Sequence, residues 1–194
     1  GESGSAKIRL PRVRRGPALE AVLLNTAGGL TGGDHLRFEA EAGPGARIEV
    51  STQAAERAYR AQPGQIARLE AGLRVGAGAR LDWLPQETIL FERCALERTL
   101  AVEMAEDATA LLVESVVFGR EAMGESLATA RFRDSWRVRR GGRLVYADEQ
   151  RVEGDVAVRL ADRFAYGGAR AAASAVLGSP DAEAHRRAFD EAGD

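Results

Sequence analysis

The chain has 194 residues, 45% of them apolar and 29% charged, with a formal charge of −2 from 27 basic and 29 acidic side chains. That length buries a core without staples, and the mixture belongs to a globular chain rather than a disordered one. With no basic excess to neutralise a run of phosphates, nucleic acid is excluded as an expected partner. The single cysteine, Cys94, has no internal disulfide partner, and the start has no basic-then-apolar leader layout. No stretch approaches the ~20 apolar residues of a membrane span. A cytoplasmic protein with no membrane role is the expectation.

In chain order, residues 1–6 read as a flexible end, and 7–194 as one domain. Lys7, Arg9, Arg12, Arg14 and Arg15 form a local basic cluster that reads as a solvated flank. Next comes the glycine-rich segment Asn25-Thr26-Ala27-Gly28-Gly29-Leu30-Thr31-Gly32-Gly33-Asp34. A phosphate loop needs a lysine, a hydroxyl residue and a helix after its last glycine; here Asp34 and an alternating segment follow, so the glycines read as tight turns.

From Leu36 to Ser115 the pattern has period two, that of half-buried strands. Leu36 to Glu41, the turn Gly43-Pro44-Gly45 and Arg47 to Ser51 form one strand-turn-strand unit. It returns 33 residues later as Leu69 to Val75, Gly76-Ala77-Gly78 and Arg80 to Leu84. A looser copy runs Leu100 to Met104, Glu106-Asp107-Ala108 and Leu111 to Glu114. A fixed spacing predicts stacked β repeats, with a set of antiparallel hairpins as the alternative. Further strands are expected at Ala128 to Arg139, Leu144 to Glu149 and Val156 to Leu160. Alanine-rich Ala169 to Leu177 and the capped segment Ala182 to Ala192 are expected to be helical, while Gln53 to Tyr59 stays open between helix and strand. The fold class is thus mostly β, a β-helix-like stack with about two helices toward the C-terminus.

Catalytic patterns are thin. His35 and His185 lie in no recognisable nucleophile arrangement, and no cluster of Cys or His suggests a structural metal. Cys94 reads first as a packed hydrophobe. Asp34 and His35 offer nickel-compatible donors, although neighbours on a strand point to opposite faces. Asp82, Glu87, Glu92, Glu114 and Glu125 leave open a carbohydrate-active β-helix enzyme, which needs two carboxyls at a set separation. A β-rich protein-binding module without a metal role is the blander alternative.

Four segments in order resemble the UreD (also called UreH) family of urease accessory proteins: Leu23 to Asp34; Ser51-Thr52-Gln53-Ala54-Ala55-Glu56-Arg57-Ala58-Tyr59-Arg60; Leu84-Pro85-Gln86-Glu87-Thr88-Ile89-Leu90-Phe91; and Gly119-Arg120-Glu121-Ala122-Met123-Gly124-Glu125. The second begins with Ser51-Thr52 where the family commonly has paired threonines, which keeps the hydroxyl. The resemblance implies a longer chain, a β-helix-like fold, no reaction of its own and no tightly bound cofactor. It implies binding to UreF, through it to the GTPase UreG, and to apo-urease, with a dimer within the complex, so that nickel reaches the buried urease site. A tunnel is the implied nickel route. Asp34, Glu87 and Glu125 are the candidate transient nickel contacts, with His35 and Cys94 as lesser ones. Gly28, Gly29, Gly32, Gly33, Thr52, Gln53, Tyr59, Pro85, Gln86, Phe91, Gly119, Arg120 and Gly124 are the expected shape-setting residues of the motifs.

Overall fold

A computed structural model describes residues 3–11, 16–119 and 127–184. Of the residues singled out above, Arg12, Arg14, Arg15, Arg120, Gly124, Glu125 and His185 lie outside this set.

Among the described residues thirteen strands make two sheets. The first contains β1 (Ala6–Arg9), β2 (Leu19–Asn25), β4 (Arg47–Thr52), β7 (Arg80–Leu84), β10 (Thr109–Phe118), β8 (Thr88–Leu90) and β5 (Glu56–Ala58), in that spatial order, with β13 (Ala171–Gly178) added against β10. The second runs β12 (Arg143–Asp155), β11 (Thr129–Arg140), β9 (Ala95–Met104), β6 (Ala67–Val75), β3 (His35–Ala42).

The repeats stack, as their spacing predicts, and are not hairpins. Each unit turns a corner from the second sheet to the first, β3 to β4, β6 to β7 and β9 to β10, and successive copies lie parallel. Leu36 sits opposite Leu69 and Ala71 opposite Leu100; in the other sheet Ile48, Leu81 and Ala110 fall in one row. The two matching turns each place a glycine at positive φ, Gly45 at 67° and Gly78 at 61°, where a side chain is strained. This left-handed position accounts for their near identity in sequence.

One open reading is decided and two expectations change. Gln53 to Tyr59 contains a strand, β5, because its backbone pairs with β8. Alanine-rich Ala169 to Leu177, expected to be helix, is strand β13: it pairs antiparallel with β10 over eight residues, from Val117↔Ala171 to Ala110↔Gly178. Partner edges override the weak helical preference of alanine. Val156 to Leu160, expected to be strand, is the helix α1 (Val156–Ala161). The Asp155 carboxylate accepts a hydrogen bond from the Val158 amide at 3.2 Å and caps it, while Val156 and Leu160, four apart, share its buried face. A second helical turn stands at 182–184. Among the described residues no helix is long and apolar enough to cross a membrane.

Inward positions of β9, β10 and β11 alternate with solvent-facing ones, and they fill two apolar clusters. One gathers Trp83, Leu100, Leu112, Trp136 and Val138; the other Leu90, Leu96, Val116, Phe118 and Phe132. Between them lies a layer that is not apolar.

Candidate functional site

The layer arises because three consecutive long strands each place a charged residue at an inward position. On β9 Arg98 falls between Leu96 and Leu100; on β10 Glu114 falls between Leu112 and Val116; on β11 Asp134 falls between Phe132 and Trp136. All three side chains are at most 5% exposed. Their interactions are unequal. Arg98 Nη2 and Nε donate to the two Asp134 oxygens at 2.6 and 3.0 Å, and Nη1 donates to Thr88 Oγ1 at 3.1 Å. Trp136 Nε1 also donates to Asp134, at 3.3 Å. Glu114 accepts from Trp83 Nε1 at 2.8 Å through Oε1, whereas Oε2 lies 3.1 Å from Arg98 Nε as an ion pair and accepts no hydrogen bond.

Two buried carboxylates thus share one guanidinium. Burial raises the Glu114 carboxyl above the ordinary range, a push that exceeds the opposing pull of Arg98. For Arg98, burial works against its charge, but Glu114 and Asp134 outweigh it and hold the guanidinium ionised.

Two adjoining cavities lie on this side of the stack, and the second is lined by Arg98 and Glu114 of the layer. The outer one, with about 100 Å³ of water-accessible space, is lined by Asn25, Gly28, Phe38, Thr52, Gln53 and Glu56 among others. The inner one, about 30 Å³, is lined by Phe38, Thr52, Glu56, Trp83, Gln86, Thr88, Arg98 and Glu114. Phe38, Thr52 and Glu56 belong to both. Such an inner space holds a water or two and no sugar ring. Glu56 is half-buried, and desolvation raises its carboxyl too. Asn25 Nδ2 holds it, donating to its oxygens at 3.1 and 3.2 Å.

The described parts of the four motifs meet along this side of the stack. Leu30 donates its amide to the Arg57 carbonyl and Tyr59 returns one to Leu30, both at 2.7 Å. The Glu56 amide donates to the Glu87 carbonyl, the Gln86 amide to Thr52 Oγ1, and the Gly119 amide to the Leu90 carbonyl. The Tyr59 and Phe91 rings pack at 4.8 Å between centroids. Gly29 lies beneath Tyr59, so close that a β-carbon there would meet the ring at 2.4 Å and the Arg57 carbonyl at 2.8 Å.

Among the residues singled out from the sequence, Asp34 Oδ2 accepts from the Thr31 amide at 2.8 Å, closing the glycine loop. His35 Nε2 lies 3.1 Å from Glu70 on the exposed start of β3. Glu87 sits on the connection before β8, Pro85 and Gln86 line the inner cavity, and Gln53 lines the outer one. Cys94 is buried, its thiol pushed up to about 12 chiefly by desolvation. Neither Asp34 nor Glu87 is among the cavity-lining residues. The candidates for an enzyme cleft disperse: Asp82 pairs with Arg80, Glu92 accepts from the Ala128 and Thr129 amides, and Glu114 is interior. Among the described residues no three His, Cys, Asp or Glu side chains gather as a metal-holding group. Half-buried Glu56 and the interior Arg98 and Asp134 are charged residues not singled out from the sequence. For Arg98 and Asp134 the detectable signal was a charge at the buried phase of an otherwise apolar alternation.

The geometry defines a class: a stacked β scaffold, with its sequence motifs assembled on one flank and a charged layer inside. The family model for the UreD urease accessory protein matches residues 1–194. Over 184 residues the chain is 49% identical to a urease accessory protein UreD of Rhizobium rhizogenes, covering 95% of this chain and 67% of that one. Proteins of the same name from Methylobacterium sp. and Ruegeria pomeroyi are 52% and 51% identical, covering 94% of this chain and 64% and 71% of theirs. The chain belongs to the UreD family of urease accessory proteins.

Proposed function

We propose that this protein is a noncatalytic scaffold of urease maturation in the cytoplasm. It binds UreF, reaches the GTPase UreG through UreF, and docks with them on apo-urease while nickel enters the active site. Nickel is cargo here, not a resident cofactor. What supports the reading is a pair of adjoining cavities that share Phe38, Thr52 and Glu56, one lined by residues of the motifs and the other also by Glu114. Carboxylates spaced along such a path pass a divalent ion by weak, exchangeable oxygen contacts. The inner space admits a nickel ion only as it trades water ligands for carboxylate oxygen. Asp34 is engaged with its own loop and Glu87 lies off the cavities, so this proposal assigns the transfer to Glu56 and Glu114.

The test uses cells that carry the urease structural and accessory genes, with this gene deleted and then restored. Loss of urease activity on deletion, rescue by the wild type, and recovery of the tagged protein with UreF, UreG and apo-urease are the expected outcomes. Full activity with nickel-replete urease in the deletion strain would overturn the proposal.

A further inference from the structure

Arg98 is an odd occupant of a cation route, because its positive charge stands at the inner end of the cavity beside the carboxylate an ion would use. We propose that Arg98 is a resident competitor for Glu114, which keeps a divalent ion there weakly held and quick to leave. The inference rests on the conduit reading and deepens it.

The argument comes from the asymmetry of the layer. Asp134 holds Arg98 with two hydrogen bonds, at 2.6 and 3.0 Å, and does not line the cavity. Glu114 does line it, and Oε2, completely buried, has only an ion-pair approach from Arg98 without hydrogen-bond geometry. An arriving ion therefore finds Glu114 the looser of the two carboxylates. It competes with Arg98 for Oε2, the Glu114 oxygen that accepts no hydrogen bond, and Asp134 retains the guanidinium within repulsive range. Other charges facing the inner cavity reduce to Glu56, and Thr88 and Thr99 supply neutral groups. A carboxylate with a fixed cationic neighbour attracts a divalent ion less than a lone one. Transfer requires such weakness, since a tight interior site would trap the cargo. Asp134 is then a positioning residue: it acts on the ion through Arg98.

The test is equilibrium binding and release of Ni²⁺ alone on purified protein, with folding checked by circular dichroism. Replacing Arg98→Met together with Asp134→Asn removes the competitor and its anchor without changing the net charge. The double variant should bind Ni²⁺ about tenfold tighter or more and release it correspondingly more slowly. Adding Glu114→Gln should erase the gain. If the double variant does not fold, Arg98→Lys gives a second reading, because a lysine point charge cannot hold Asp134 in two-pronged fashion and stay beside Glu114; a smaller tightening in the same direction is expected. Unchanged or weaker affinity, or a tightening that survives Glu114→Gln, would overturn the proposal. Wild-type protein that fails to restore urease would count against the maturation role instead. Restored urease with unchanged variant affinity would count against Arg98 alone.

Discussion

Arg98 on β9 and Asp134 on β11 stand opposite each other on adjacent parallel strands and meet through two hydrogen bonds in the interior, with 5% and 2% of their side chains exposed. One residue away, Arg133 and Glu149 meet at the same 2.6 Å on the outer face. Equal distances do not mean equal consequences. Asp134→Ala leaves a buried guanidinium short of its anchor and should cost about 3–5 kcal/mol. Glu149→Ala leaves Arg133 in water, so the melting temperature should barely move. Chemical denaturation of the two variants checks the contrast.

The Glu114 carboxyl gives stability a pH dependence whose sign is fixed. Because burial raises its value in the folded state, the folded chain holds that proton more tightly than the unfolded chain does. Its contribution is complete below the ordinary glutamate range and is lost as pH rises through the raised value. Glu114→Gln lacks the contribution, keeps an acceptor for Trp83 and leaves Arg98 with Asp134. Going from about pH 5 to about pH 8, the wild type should therefore lose stability relative to Glu114→Gln, measured by thermal unfolding at matched salt. The opposite trend would mean that Arg98, not burial, dominates the site.

Gly29 and Gly72 offer a matched pair of alanine substitutions. At Gly29 the added carbon meets the Tyr59 ring at 2.4 Å and a backbone oxygen at 2.8 Å. Gly29→Ala should cost about 1–3 kcal/mol and shift the Tyr59 fluorescence. At Gly72 the nearest atom is Glu39 Cγ at 3.9 Å, within a regular strand. Gly72→Ala should be neutral or stabilising by up to about 1 kcal/mol, because it restricts the unfolded chain.

Cys94 should be inert in the folded chain. Its thiol is buried and raised to about 12, so almost no thiolate is available at neutral pH. Alkylation by iodoacetamide should follow global unfolding, and Cys94→Ala should leave nickel binding unchanged. Rapid labelling of native protein would contradict the packing.

The stack itself was legible in the sequence because the turn glycines and period-two strands recur at a near-constant spacing, and parallel pairing of Leu36 with Leu69 realises that spacing directly. Two segments were not. Ala171–Gly178 carries helix-favouring alanines, and only the open side of β10 makes it a strand. Val156–Ala161 shows alternation in so short a run that Asp155 capping and the Val156 and Leu160 packing decide for helix. The site was half legible. The motifs announced themselves as segments, yet their contact partners, such as Asn25 with Glu56, lie 31 residues apart. The charged layer is visible in hindsight as Arg98, Glu114 and Asp134 standing at the phase that their neighbours Leu96, Leu112 and Phe132 assign to the core. Which charges pair, and which oxygen is left over, depends on strand register, and that is a property of the fold.

The most direct measurement is the nickel content of urease purified from cells in which this gene is replaced by Glu56→Gln, Glu114→Gln or the double variant, at matched protein levels and with UreF still bound. The interior route predicts nickel-poor, weakly active urease, with the double variant the worst. Wild-type nickel content in the double variant would contradict it and place the path of the ion elsewhere.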